Sequence, residues 1–148
     1  MEEVVRVQSH VTYRAASDSL EVGVHCAQGL GIRAAIVVVD AYGEIVAAAK
    51  LDGANPKAWR GALGKALVAS GMGISTGDFI EKRLKQDDVL YRALSSNPDT
   101  FIVPGGFPLL YDGKPVGGVG VSGGHYEDDA QVAKAVSDRF VELVEGKG

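Results

Sequence analysis

Apolar residues recur every three or four positions in several stretches of the chain, which is the period of one face of a helix. The first stretch begins after Thr12, a residue type that caps helices, and ends at a pair of glycines; it predicts a helix over 13–29. The second stretch predicts a helix from 56 to about 70, with Asn55 as its cap and Pro56 at its first position.

A third long apolar stripe lies in the last part of the chain. It predicts a helix that starts just after His125 and carries three acidic residues in its first turn, where they complement the positive end of the helix dipole. Two shorter helices are predicted before it, one capped by Thr76 and one capped by Asp87 or Asp88.

The segments between these helices are short, extended runs. Residues 34–39 and 44–51 predict a β-hairpin, and residues 101–111 and 114–121 predict a second one around the Asp-Gly turn at 112–113. Hairpins rather than regular βαβ units favour an antiparallel sheet. We therefore predict an α+β fold in which about five strands are flanked by helices.

Composition limits the function classes. The chain has 148 residues, 46% of them hydrophobic, which fits one domain over 1–148. Its net charge of −4 and its lack of a basic run exclude a typical nucleic-acid-binding protein. No window reaches the ~20 apolar residues of a membrane helix, and the acidic start lacks the features of a secretion signal. With Cys26 as its single cysteine, the chain forms no internal disulfide, and we expect it in the cytoplasm.

The segment Ser122-Gly123-Gly124 leads the last predicted strand into the start of the last helix. Backbone N–H groups at such a helix start can hold an anion or a carboxylate. Glycines there also suit a purely structural corner, and the acidic residues from Glu127 onward would repel an anion. A ligand-facing loop and a structural corner are therefore both open interpretations.

Three side chains are candidates for acid–base work or ligand binding. His125 could be a general base, a haem or metal ligand, a cap or an ordinary exposed residue. Lys65 could hold a carboxylate, pair with Glu127 or Asp128, or lie on solvated helix surface. Arg60 could assist Lys65, but about 140° separates them around the helix, which weakens a shared role.

His25 is the candidate haem ligand. Haem iron takes an axial His, Cys, Met or Tyr. On the first helix His25 lies away from the apolar face that contains Leu20, Val24 and Ala27, so it is expected to face solvent or a neighbouring subunit. No paired metal-ligand motif, nucleotide-binding loop or Ser-His-Asp order occurs, and no metal site is predicted.

Three motifs near the C-terminus follow one another in a specific order. They are Gly105-Gly106-Phe107-Pro108-Leu109, the segment from Val116 to Gly124, and Glu127-Asp128-Asp129 followed by Val132-Ala133. In this order the motifs resemble the GlcG/HbpS-like family, which includes the C-terminal domain of PduO-type proteins. The resemblance spans roughly 12–142.

The resemblance implies a profilin-like α+β fold, homo-oligomers and, in several members, binding or degradation of haem. It aligns Lys65 with the family's lysine on the central helix, whereas Leu63 and Val68 depart from the family pattern there. A pocket built on that helix is therefore expected to differ from that of other members.

Two functions are carried forward. The first is a small-ligand-binding protein whose ligand is haem or a related tetrapyrrole. The second is a cofactor-free lyase, isomerase or hydrolase acting on a small organic or aromatic carboxylate in a catabolic pathway, with Lys65, His125 and Glu127 as catalytic residues. The predicted ligand-binding residues are Arg60, Gly105, Gly106, Phe107, Ser122, Gly123 and Gly124. An accessory subunit without chemistry is a third interpretation.

Overall fold

The computed structural model describes residues 3–146; the first two residues of the acidic start and the last two residues of the chain lie outside the described residues. The helices and strands follow one another as α1 (Tyr13–Leu30), β1 (Ala35–Asp40), β2 (Ile45–Lys50), α2 (Ala58–Met72), α3 (Thr76–Lys82), a 3-10 turn (Leu84–Gln86), α4 (Asp88–Ser95), β3 (Gly106–Tyr111), β4 (Lys114–Ser122) and α5 (Tyr126–Val144). No helix in this part of the chain is long and apolar enough to cross a membrane.

The strands form one antiparallel sheet in the order β2-β1-β4-β3. Each of its two hairpins closes through positive φ, at Gly43 (81°) in the first and at Asp112 (52°) and Gly113 (73°) in the second. Both predicted hairpins are therefore confirmed, and β1 and β4 are the two central strands.

The prediction of about five strands was wrong, because the sheet within residues 3–146 has four. The missing strand is the segment 101–105, which precedes β3. Phe101 packs into a notch on α2 at Gly61 and Gly64, where an added Cβ on Gly64 would lie 2.7 Å from the Cβ of Phe101. Pro104 also lacks a backbone donor for a sheet ladder. Packing against α2 therefore replaces strand pairing in this segment.

Helices cover both faces of the sheet. Ile36 and Val38 of β1 belong to the core shared with α1 and α5, whereas Val37 and Val39 pack with the buried alanines of α2. A strand buried on both faces has apolar residues throughout instead of alternating ones. This explains why the sequence of β1 is an unbroken apolar run.

The glycines of β4 allow α2 to lie directly on the strand backbone. A Cβ built on Gly120 would lie 1.8 Å from the carbonyl oxygen of Ala62, and one on Gly118 would lie 2.8 Å from that of Ala66. Real Cβ atoms do not approach backbone atoms this closely. The glycine-rich block therefore sets the spacing between α2 and the sheet.

Most predicted helix starts are close to the observed ones. Thr12 caps α1 through a bond from the Ala15 N–H (3.2 Å), as predicted. The start predicted at Pro56 was wrong, because α2 begins at Ala58. The side chain of Asn55 accepts a bond from the Lys57 N–H (2.8 Å), which lies before the helix.

The predicted caps of the two short helices had different outcomes. Asp87 caps α4 through the Leu90 N–H (2.9 Å), as predicted. Ser75 caps α3 in place of Thr76, whose hydroxyl is buried and accepts a bond from the Gly106 N–H (3.0 Å). Thr76 thus joins α3 to the start of β3.

Candidate functional site

Lys65 is one of the largest fully buried side chains in the described residues and lies at the centre of the candidate site. Its Nζ donates to the carbonyl oxygen of Val121 (2.8 Å) and to Oδ2 of Asp129 (3.2 Å), and it lies 5.5 Å from the ring centroid of Phe101. One ammonium group therefore ties together α2, the end of β4 and the first turn of α5.

Asp129 is the partner of Lys65, so the predicted pairing with Glu127 or Asp128 was wrong. Asp129 is 2% exposed, and its Oδ1 accepts a bond from the Gly124 N–H (3.0 Å). The loop before α5, for which an anion site and a structural corner were both open, thus uses its Gly124 amide to hold a carboxylate of the chain itself. Through this bond the Ser122–Gly124 loop stabilises the connection from β4 to α5.

Burial acts on both groups of the pair. Desolvation lowers the pKa of Lys65, and the charge and hydrogen bond of Asp129 oppose that shift. Desolvation likewise raises the pKa of Asp129, against the charge of Lys65 and the Gly124 amide. Because each charge depends on the other, a substrate carboxylate would have to displace Asp129 before it could bind Lys65. This requirement counts against the carboxylate-transforming alternative.

Two predicted ligand-binding glycines enclose the pair. Gly105 has φ +129°, and a Cβ there would lie 2.8 Å from Nζ of Lys65 and 2.7 Å from the carbonyl oxygen of Val121. A Cβ on Gly106 would lie 2.6 Å from the carbonyl oxygen of Lys65. These positions require glycine because the backbone approaches the lysine so closely.

A groove of about 430 Å³ opens on the outer side of Gly105, and we call it the Gly105 groove. Its walls come from α3, the segment 104–107 and the start of α5. The lining residues are Ser75, Gly77, Asp78, Ile80, Glu81, Pro104, Gly105, Phe107, Tyr126 and Ala130. Its volume falls within the range of small-molecule sites, about 300–1,000 Å³. Of the predicted site residues, it contains Gly105 and Phe107.

His125 is the cap of α5. Its Nδ1 accepts a bond from the Glu127 N–H (3.2 Å), and its exposed ring lies 4.2 Å from that of Tyr126, centroid to centroid. A neutral imidazole that accepts at Nδ1 carries its hydrogen on Nε2. His125 can therefore accept a proton or ligate iron through Nε2 only by giving up the cap. Glu127 is exposed.

His25 faces outward from α1, as predicted, with 72% of its side chain exposed. Its Nε2 lies 3.4 Å from Oε1 of Glu21, one helical turn earlier. It borders a groove of about 550 Å³ between α1 and α5, the His25 groove, which is lined by Asp18, Glu21, Val22, His25, Ala135, Arg139 and Glu142. Arg139 donates from Nε to Asp18 (2.8 Å) and from Nη1 to Glu142 (3.2 Å).

The remaining predicted residues are dispersed. Arg60 is exposed on α2, away from the buried ammonium of Lys65, and Ser122 is half-buried with its Oγ against Gly61. Gly123 has φ +128°, and a Cβ there would lie 2.5 Å from the carbonyl oxygen of Arg33. The structure thus does not unite these residues with Lys65 in one pocket.

Asp129 is the site residue that sequence reasoning missed. A signal for it exists, because Asp129 lies on the same helical stripe as Ala133, Val136 and Phe140, all of which are buried. A carboxylate on an apolar stripe must find a partner in the core.

The donor chemistry can be tested against metals and haem. Within residues 3–146, no group of three or more His, Cys, Asp or Glu side chains lies close enough to hold a metal ion. Haem needs one axial donor, and His25 supplies an exposed imidazole with a carboxylate beside it. Val22 and Ala135 give apolar contact in the same groove, and Arg139 supplies a cation. The residues of the His25 groove therefore fit the axial ligation of haem.

An antiparallel sheet covered by helices on both faces makes the chain a small mixed α/β protein. Residues 11–138 match the model of the family described as haem degrading protein HbpS-like, and the chain belongs to this family. The predicted resemblance is confirmed.

Solved structures and a sequence relative agree with this family. The Klebsiella pneumoniae protein ORFY is 27% identical, with a TM-score of 0.84 over 95% of this chain and 97% of its own. A double mutant of HbpS from Streptomyces reticuli is 29% identical, with a TM-score of 0.82 over 93% and 92%. An uncharacterized 15.0 kDa protein from the dhaT-dhaS intergenic region of Citrobacter freundii is 32% identical over 120 residues, 79% of this chain and 84% of the relative.

Proposed function

We propose that this chain is a small-ligand-binding protein whose ligand is haem or a related tetrapyrrole, with His25 as the axial ligand. The observation that carries the proposal is the exposed imidazole of His25 at the edge of a groove of about 550 Å³, with Glu21 3.4 Å from its Nε2. A histidine that binds a metal commonly donates its other N–H to a carboxylate, which here would leave Nδ1 for iron. The family description, which names haem degradation, supports the same ligand.

Other residues of the His25 groove would contact the parts of the ligand that surround its iron. Val22 and Ala135 would contact the macrocycle, and Arg139 would donate to a propionate at the expense of its bond to Asp18. When bound, haem would supply redox chemistry at its iron. The groove lies open on the surface of one copy, so we also propose a homo-oligomer, in which a second copy would cover more of the ligand.

The family assignment and the lone Cys26 support two further parts of the proposal. We place the protein in the cytoplasm, where a free thiol stays reduced. We also treat the chain as one domain, because the family match and the sheet with its covering helices extend over most of its length.

A haemin titration followed in the Soret region tests the proposal. We expect the unmodified protein to shift the Soret band at micromolar haemin and His25→Ala to lose the shift. Glu21→Gln should weaken binding by roughly tenfold, as is common when a carboxylate behind a ligating histidine is removed. His125→Ala is the matched control, since it removes an exposed imidazole that caps a helix, and it should bind haemin normally.

Two results would overturn the proposal. If the unmodified protein gives no Soret shift, haem is not its ligand. If His25→Ala binds as well as the unmodified protein while Tyr126→Phe does not, the ligand occupies the Gly105 groove and the assignment of His25 is wrong.

A further inference from the structure

Residues 3–10 form an arm that precedes α1 and belongs to no helix or strand. Val4, Val5 and Val7 in this arm are 95%, 78% and 91% exposed. The arm is anchored at its base, where the Val11 N–H donates to the carbonyl oxygen of Val116 (2.9 Å) and the His10 ring packs on Tyr42. Three neighbouring valines held in water indicate a surface that something covers.

The arm has the sequence of a β-strand. Val5 and Val7 alternate with Arg6 and Gln8, which is the two-residue period of a strand with one apolar face. Valine is also among the residues that favour strands most. The segment nevertheless pairs with no strand in the described structure. The segment therefore has the sequence pattern of a strand but no strand beside it.

The sheet offers two free edges, and β2 is the better acceptor. The strand order leaves β2 and β3 with no neighbour on their outer sides in the described residues. In β3, Pro108 has no backbone N–H to donate to an incoming strand. β2 contains no proline, so none of its outward-facing N–H groups is missing, and Ile45 is 47% exposed.

The arm does not run toward β2 of its own chain. Arg6 and Val7 line a cavity with Tyr111 and Lys114 at the turn between β3 and β4. From its anchor the arm thus runs toward the β3 side of the sheet, whereas β2 is at the opposite edge. The direction of the arm does not exclude the β2 edge of a second copy, because that copy can dock where the arm lies.

We propose that the arm of one copy adds to the outer edge of β2 in a second copy as an antiparallel strand. Residues 3–8 match the six residues of β2 in length. The antiparallel register that aligns them places Glu3 beside Lys50, which gives opposite charges at one end. It also sets Val5 opposite Ala48, so two small apolar residues meet. Val7 comes opposite the bulge that β2 makes between Ile45 and Ala47. This inference concerns the assembly and does not depend on the identity of the ligand.

Mixing two single-cysteine proteins tests the register. In a Cys26→Ser background, one protein carries Val5→Cys and the other carries Ala48→Cys, so any mixed disulfide joins two chains. Directly opposed strand residues lie about 4.5–5.5 Å apart between Cα atoms, which suits a disulfide. We expect this pair to cross-link under mild oxidation. Gln8→Cys mixed with Ala48→Cys is the matched control and should not cross-link, because it is three residues, about 10 Å, out of register.

A second measurement follows the assembly itself. Val5→Lys with Val7→Lys should lower the mass of the particle in light scattering, whereas Gln8→Lys, on the polar side of the same arm, should leave it unchanged. The proposal is wrong if Val5→Cys and Ala48→Cys do not cross-link. It is also wrong if Val5→Cys cross-links equally well with Leu110→Cys on the β3 edge.

Discussion

Asp129→Asn should lower the free energy of unfolding by about 3–5 kcal/mol, the usual cost of removing one partner from a buried ion pair. The substitution keeps the shape of the side chain and an oxygen that can accept from the Gly124 N–H. What it removes is the charge that balances Lys65, whose side chain is 1% exposed. Urea unfolding at neutral pH measures the loss.

The pH dependence of this loss identifies its cause. Without Asp129 nothing in the pair offsets the desolvation that already lowers the pKa of Lys65. The unfolded state then binds more protons than the folded state, so stability rises with pH up to the ordinary pKa of lysine, about 10.4. The deficit of Asp129→Asn should therefore shrink as the pH is raised from 7 towards 10. A deficit that stays constant would contradict an unbalanced lysine charge.

Two controls complete this experiment. Lys134→Met breaks an exposed pair with Asp138 (2.8 Å) and should cost at most about 1 kcal/mol. Lys65→Met combined with Asp129→Leu replaces both charges with apolar groups and should recover part of the loss seen for Asp129→Asn. If the double variant is as unstable as the sum of its single variants, the two residues are not coupled as the distances indicate.

Gly120→Ala should destabilise the fold by about 3 kcal/mol or more, near the upper end of the usual cost of overpacking a core. The new methyl would lie 1.8 Å from the carbonyl oxygen of Ala62 and 2.6 Å from the nitrogen of Ala66. Both are backbone atoms, so no change of side-chain rotamer can relieve the contact. Thermal unfolding should show a large decrease in Tm.

Gly71→Ala is the matched control for this substitution. Gly71 lies within α2, and a Cβ there would meet no atom within 4 Å. Alanine favours the helix over glycine, so this change should stabilise the protein by about 0.5–1 kcal/mol. If Gly71→Ala and Gly120→Ala had equal effects on stability, this result would contradict the close contact between α2 and β4.

The sequence predicts the helices and hairpins well because their signals are local. Thr12, Asp87 and the turn at 112–113 act on backbone groups within a few residues, so their effect can be inferred without the rest of the fold. The segment 101–105 was predicted as a strand because Phe101 and its neighbours favour one. Its conformation is decided by Gly61 and Gly64, some 40 residues earlier, and no local pattern contains that contact.

The candidate site was harder to predict for the same reason. Lys65 was singled out from the sequence and its catalytic role stays a prediction, whereas its carboxylate partner depends on how α5 packs across the end of β4. Gly120 was predicted in a strand and lies in β4, and the ligand-binding role of Gly105 stays a prediction. What no local pattern indicated is that these glycines also create room for α2 and for Lys65. The roles of His25, His125 and Glu127 in binding or catalysis stay predictions.

The contact between α2 and β4 also limits how this strand can vary among related proteins. A side chain that clashes with another side chain can be accommodated by a smaller residue at the second position. At Gly120 the obstacle is main chain, which every amino acid shares, so no compensating substitution exists. Such a position should tolerate replacement only in relatives whose helix has moved away from the sheet.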